Sequence, residues 1–217
     1  MTSIVFPRPI ITGGIKSSSL DPNRIDYLSP TAGGRVFSVT AGQPLWSISL
    51  TYANLMSEDA FALKAWVDSL AGSQRLIFAF DPDRQIPLFH QGGRPFVDAP
   101  TSWAQTIDGS GLALLALTGL HPGQVVSVGD YVGFAWGASK FTMVRALETV
   151  TANSGGTAGF AIEPPVPTLS VPSDATTTLR RAGCLMRQDT SQTKLPDIDL
   201  GFMPAGARIV AVQDLIS

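Results

Sequence analysis

Apolar and polar residues alternate along most of this chain with a period of two, and the places where that rhythm starts, stops or changes divide it into segments. In "LWSISLTYA", Trp46, Ile48, Leu50 and Tyr52 fall on one side and Ser47, Ser49 and Thr51 on the other, as in a half-buried strand. The preceding "RVFSVT" has the same period, and the turn-prone "AGQP" between the two runs predicts an antiparallel hairpin. The period then lengthens. Ser57 reads as an N-cap, Glu58 and Asp59 suit the positive end of a helix dipole, and "AFALKAWVDSLAG" runs to a stop at Gly72, predicting a helix over 57–71. Ala60, Leu63, Val67 and Leu70 line one face of it, with Lys64 and Asp68 at i,i+4 spacing on another, so the helix is expected to pack on a sheet. "RLIFAF" then restores the period of two, with Leu76, Phe78 and Phe80 on one face.

The flanks are less regular. The first thirty-odd residues hold no sustained period and read as an extended arm with one short strand at Ile10 to Thr12. "DPDRQIPLFHQGGRP" is a loop of about fifteen residues, a length at which a loop is expected to be functional or ordered by a partner. From Val97 onward, "GLALLAL", "VVSVGDYVGF", "KFTMVRALETV" and "TAGFAIEPP" are separated by turn signals at "HPGQ", "AWGAS" and "NSGG", the spacing of a small barrel or sandwich. The Pro-rich "PPVPTLSVPSD" reads as a linker. "ATTTLRRAGCLMRQDTS" resumes strand character, and the tail "LPDIDLGFMPAGARIVAVQDLIS" is expected to end on a short apolar strand or edge segment.

Composition supports many short strands: in 217 residues, 44% are apolar, 15% are charged, and 21 Gly and 16 Pro tilt the chain towards turns. A net charge of −2 from singly scattered residues offers no footprint for a phosphate backbone, so direct nucleic-acid binding is not expected. Low charge also protects a surface poorly against self-association, which points to assembly. The one cysteine, Cys184, has no partner for a disulfide and no CxxC or Cys/His companion, and is expected in a core. Pro7 and Pro9 break the N-terminus against a signal peptide, and no uncharged apolar run reaches the length of a membrane span, so synthesis in a cytoplasm is expected.

Chemistry is sparse. His90 and His121 lie near no nucleophile or metal pattern, and Asp81, Asp83 and Asp98 sit beside Pro and Gly, where carboxylates serve as turn residues more often than as a glycosidase pair. "NSGGTAG" lies between two strands and reads as a hairpin turn, not as a phosphate loop opening a helix. Trp46 and Trp66 belong to core patterns, which leaves Trp103 and Trp136 as candidate surface aromatics. In "GDYVGF", Gly129 and Asp130 read as a turn into a strand, with Tyr131 and Val132 on opposite faces and asparagine expected to be tolerated at position 130. No catalytic, cofactor-binding or metal-binding residue is predicted.

Taken in order, "PLWSISLTY", the helix "AFALKAWVDSLAGS" leading to a strand, "VSVGDYVGF", "TANSGGTAGFAIEPP" and the late strand with Arg180 and Arg181 resemble the distal tail or minor tail proteins of long-tailed, non-contractile bacteriophages and of related prophage or gene-transfer particles. The resemblance covers about residues 35 to 190. It implies a mainly β protein, a tail-tube-like β-sandwich with one flanking α-helix plus a small β-barrel-like insertion. The expected divisions are an extended arm over 1–34, a first β domain over 35–94 and again over 168–217, and the insertion over 95–167. It implies a structural, non-enzymatic virion protein at the distal tail tip, without cofactor, forming a ring of commonly six copies that joins the major tail-tube protein to the hub, fibre and tape-measure proteins. Candidate contacts between copies are Ile10, Ile11, Phe89, His90, Arg180, Arg181, Ile209 and Val210. A carbohydrate-binding or cell-wall-hydrolysing accessory, or a tube or tail-completion protein, is the alternative. A direct grip on host sugars is not expected, because no large lectin-like domain follows.

Overall fold

The structure is a computed structural model and describes residues 4–30, 33–53, 55–196 and 206–215. Its first elements are β1 (Arg8–Pro9), β2 (Ile15–Asn23), β3 (Asp26–Pro30), β4 (Val36–Thr40), β5 (Leu45–Tyr52), α1 (Ser57–Ser69) and β6 (Ile77–Phe80). After a long loop come β7 (Ser102–Ile107), β8 (Ala113–Thr118), β9 (Val125–Val126), β10 (Tyr131–Trp136), β11 (Lys140–Ala146), β12 (Val150–Thr151), β13 (Ala158–Glu163) and β14 (Thr176–Thr178). The chain closes with β15 (Gly183–Gln188) and β16 (Ala207–Gln213). Two six-stranded sheets result, ordered β1-β6-β15-β16-β5-β2 and β14-β10-β11-β13-β8-β7, beside the small pairs β9-β12 and β3-β4. The protein is thus a mainly β sandwich with one α-helix among the described residues. The insertion is an open sheet and not the expected barrel: none of the sheets closes.

The first core follows from alternation in β5. Trp46, Ile48, Leu50 and Tyr52 are all buried, and their cross-strand partners in β16, such as Ile209 opposite Leu50 and Ala211 opposite Ile48, extend the same face. Cys184 and Met186 of β15 and Ile77 and Ala79 of β6 continue it, and Ala60, Leu63, Trp66, Val67 and Leu70 from the helix segment belong to the same core. Full burial of one such side chain contributes roughly 1.5–3 kcal/mol. The helix begins at Ser57 itself, after Met56 in an extended conformation, so Ser57 is not the cap; no side chain caps this end. In β6 both faces are covered: Phe80 is buried in the first core as expected, Ile77 and Ala79 of the other face enter it too, and Phe78 packs against it and meets Phe141 edge-on at 4.9 Å.

Three pairings differ from the sequence expectation. The arm contains β2, nine residues long, which pairs with the whole of β5; of its residues only Leu20 is buried. As an edge strand it needs no apolar alternation and tolerates Pro22, which is why "IKSSSLDPN" carries no strand signal. Next, β4 pairs with β3 and not with β5. Finally, β16 lies in the middle of its sheet between β15 and β5, not at an edge.

The second core is built from β8, β10, β11 and β13, with Leu115, Leu117, Phe134, Val144, Phe160 and Ile162 among its buried residues. Val166, Val171, Ala175 and Leu179 also enter it, so the Pro-rich stretch is not a linker but part of this unit. The insertion therefore runs on through β14, beyond the expected end at 167. "ATTTLRRAGCLMRQDTS" accordingly divides between sheets, β14 in the second and β15 in the first, and the chain crosses over at Arg180 and Arg181. Strands β10 and β11 serve both cores. Tyr131 and Met143 pack in the first core, while their neighbours Val132 and Val144 pack in the second. Trp46 ties the units together, meeting Tyr131 edge-on at 5.8 Å and donating its indole N–H to the carbonyl of Met143 at 2.8 Å.

Candidate functional site

"GDYVGF" sits where the long loop, the second sheet and the first core converge. Gly129 has φ +82°, the left-handed conformation that a turn residue without a Cβ adopts freely. Asp130 is 1% exposed, and each of its carboxylate oxygens accepts a backbone N–H: Oδ1 that of Leu88 at 2.9 Å, Oδ2 that of Ser127 at 2.7 Å. Arg84 stands 3.9 Å from Oδ1. Burial pushes this carboxyl above its ordinary value, opposed by the two backbone N–H groups and by the positive charge of Arg84. The residue is a fastener: it closes its own turn and pins the loop of residues 81–101 to the insertion.

The rest of that loop is fastened in the same way. Gln124 takes both backbone groups of Val97, accepting its N–H at 2.9 Å and donating to its carbonyl at 3.1 Å. His90 is buried, and its Nε2 accepts the N–H of Val125 at 3.3 Å, which places the ring proton on Nδ1. Arg181, with φ +48°, bonds the loop through its N–H to the carbonyl of Gln85 at 2.7 Å and through Nε to the side-chain oxygen of Gln85 at 3.0 Å. Arg180 lies over Phe96 at 5.3 Å and pairs with Asp98 at 3.5 Å. This loop, expected to be functional or ordered by a partner, is ordered by this chain's own insertion.

The eight candidate interface residues therefore separate. Ile10, His90, Ile209 and Val210 are buried within the chain's own fold and are no longer candidates, because a buried side chain has no surface to offer. Ile11 is half-buried, accepting at its carbonyl a hydrogen bond from the Tyr52 hydroxyl at 2.7 Å. Phe89, Arg180 and Arg181 reach solvent. Phe89, His90 and Phe96 form a chain of ring contacts at 5.3 and 5.4 Å that ends under Arg180, so Phe89 and Arg180 share one region.

Other candidates are structural. Asp81 accepts the N–H of Asp83 at 2.9 Å, Asp83 accepts the hydroxyl of Ser18 at 3.1 Å, and Asp98 accepts the hydroxyl of Thr178 at 3.2 Å. Asn153 closes the "NSGG" turn by accepting from the N–H groups of Gly155 and Thr157, and a strand follows, not a helix. Cys184 is fully buried and its thiol is pushed far up by burial, which makes it inert. Tyr131 is raised to about 12, chiefly by burial and then by the charge of Asp81. Among the described residues, no group of three or more His, Cys, Asp or Glu has the arrangement of a metal site.

The surface that the sequence reading missed is the β3-β4 hairpin. It continues the β2-β5 ribbon past the edge of the sheet, through the bond from the Ala41 N–H to the carbonyl of Ile25 at 2.8 Å. At its base, Arg24 pairs with Glu163, and Gln43 donates to the carbonyl of Pro165 at 2.9 Å, which fixes the ribbon to the insertion. Beyond that base, Ile25, Tyr27, Leu28, Val36, Phe37 and Val39 are between 58% and 67% exposed. Tyr27 opposite Val39, with Phe37 further along, forms one face; Leu28 with Val36 opposite Pro30 forms the other. The signal was present in "RVFSVT" but was assigned to burial in a sheet.

Comparison of the sequence with models of known protein families and with curated proteins finds no match.

Proposed function

We propose that this chain is a structural subunit that joins its own copies in a closed ring, with six as the expected number, at the distal end of a phage-like, non-contractile tail. In that role it links the major tail-tube protein to the hub and tape-measure proteins of the tip, as part of the particle and without catalysis. The observation that carries the assembly part of this reading is the bare hairpin. A lone two-stranded ribbon is marginal in water, and one with apolar side chains on both faces is built to be covered. Covering a single such side chain is worth roughly 1.5–3 kcal/mol, so six of them supply a substantial interface. Both outer edges of the hairpin are also unpaired among the described strands, which suits strand addition by a neighbouring copy. A protruding element that fits elsewhere on an identical molecule makes a head-to-tail contact, and such a contact repeats into a ring where its rotation closes. The assignment to a tail tip rests on the sequence resemblance. Imaging of particles that carry the epitope-tagged chain tests it: the expected result is a symmetric ring of this chain between tube and tip, and its absence from the tip overturns the reading.

A further inference from the structure

Three of the four tryptophans have a structural task for the indole N–H. Trp46 donates to the carbonyl of Met143 at 2.8 Å, Trp66 to that of Pro9 at 3.2 Å and Trp103 to that of Ala175 at 3.1 Å. Trp103, a candidate surface aromatic by sequence, also packs edge-on against Phe134 at 4.9 Å and so serves the second core. Trp136 differs. One side of its ring packs against the second core, but it is half-exposed and its Nε1 has no partner among the described residues.

Trp136 ends β10 directly opposite Lys140, where the hairpin into β11 turns through Gly137. It borders an open cleft of about 380 Å³ shared with Lys140, Phe141, Asp174 and Thr176. Pro172 closes the other wall, so the cleft lies between the β10-β11 turn and the Pro-rich stretch of the insertion. Asp174 and Thr176 are exposed, and no ion pair or side-chain hydrogen bond occupies Asp174, Thr176 or Lys140 among the described residues. One aromatic ring thus stands beside a carboxylate, a hydroxyl and an ammonium group in one concave site, all four without a side-chain hydrogen-bond partner among the described residues.

We propose that this cleft binds a saccharide. A sugar ring presents an apolar patch of C–H groups on one face and hydroxyls around its edge, and a site for it needs an aromatic surface flanked by both acceptors and donors. Here Trp136 supplies the aromatic surface, Asp174 accepts hydroxyl protons, and Lys140, Thr176 and the indole N–H donate to hydroxyl oxygens. A proline-rich peptide is the competing occupant of a tryptophan-lined groove. It requires parallel aromatic ridges, whereas Phe141, the other ring here, is engaged edge-on with Phe78 at 4.9 Å. The site stands on the opposite side of the ring question: it needs no second copy, and it binds whether or not the chain assembles.

The test uses the full chain with 5-fluorotryptophan in place of its four tryptophans, followed by fluorine NMR during titration with N-acetylglucosamine tetramer and, separately, with maltotetraose. Saturable movement of one resonance, the one absent from Trp136→Phe, is expected with at least one of the two sugars. Asp174→Ala, at an exposed position that leaves the fold intact, should weaken binding by about tenfold in the same titration, and Trp136→Ala, which lacks the reporting resonance and is titrated by calorimetry beside the parent, by more. Silence of the Trp136 resonance with both sugars overturns the proposal, as does binding that survives Asp174→Ala and Trp136→Ala unchanged. Saturation of the same resonance by a proline-rich decapeptide and by neither sugar assigns the cleft to a peptide and equally overturns it. Oligomeric state, read by native mass in the same samples, reports separately on ring formation.

Discussion

The β2-β5 ribbon and the β3-β4 hairpin are two halves of one continuous antiparallel ladder, and they meet opposite fates. In the inner half, every second residue of β5 is buried under the helix and the neighbouring strands. In the outer half, the residues of β3 and β4 are exposed on both faces. Phe37 and Val39 repeat at the same two-residue spacing as Trp46, Ile48 and Leu50, so periodicity alone does not separate the two halves. What separates them is supply: α1, β16 and β15 cover the inner half, and at Arg24 and Gln43 the last contacts with the insertion end. A strand pattern thus reports that a face is meant to be covered, not which molecule covers it.

Substitutions that remove cover from one half and not the other sharpen this contrast. Leu63→Asp should have the largest effect, because it places an unpaired carboxylate in the first core at a cost of several kcal/mol; thermal or urea unfolding should show a chain that is largely unfolded or fails to accumulate. Tyr27→Ser combined with Phe37→Ser, on the outer half, should leave the unfolding free energy of the separated subunit within about 0.5 kcal/mol of the parent, and abolish its assembly. Equal loss of subunit stability in both variants would show that the hairpin is covered within the chain.

The fastening of the loop over residues 81–101 gives an intermediate effect. Asp130→Asn was expected from sequence to be silent, but both carboxylate oxygens accept backbone N–H groups, and an amide places an NH2 against one of them. Leaving that buried donor unsatisfied costs about 1–3 kcal/mol, measurable as a lower unfolding midpoint with the helix and first core intact. The pH dependence separates this carboxylate from two others. Asp130 is raised, first by burial, so its favourable contribution is full below the unfolded value and is lost as pH rises through the folded value. Asp108 is lowered first by the Ser110 hydroxyl and Asp189 first by that of Ser191, so their contributions are present above the unfolded value and lost as pH falls through the folded one. Melting followed down from neutral into the acid range should therefore lose less stability in Asp108→Asn and Asp189→Asn than in the parent, whereas Asp130→Asn should not show that protection. Smallest of all, Lys64→Ala on the exposed side of α1 should change stability by less than about 0.5 kcal/mol in the same melts.

How far the fold could be read from sequence depended on whether a residue's neighbours were close along the chain. The helix, the inner face of β5 and the Gly129-Asp130 turn are local, and 3.6- and 2-residue periods with turn chemistry sufficed. β2 was hidden because an edge strand needs few apolar residues, and the apolar strand expected at the end of the chain is present as β16, its place in the sheet left open because nothing in "ARIVAVQ" tells a central strand from an edge one. Of the candidate contact residues, Ile10, Ile209 and Val210 are apolar and lie in strands or beside them, and that character buried them in the chain's own core. His90 was hidden by distance, its fasteners Val125 and Phe96 being brought to it only by the fold. The unpartnered Trp136 N–H is legible only by subtraction, once the other three indole N–H groups have been matched among the described residues.

The most direct measurement of the central claim is the native mass of the full chain beside a variant in which residues 25–41 are replaced by a short Asn-Gly turn. The account predicts a closed oligomer for the full chain and a folded monomer, with unchanged far-ultraviolet circular dichroism in the helical region, for the variant. A full chain that stays monomeric at every concentration, or a variant that assembles as the parent does, would contradict it.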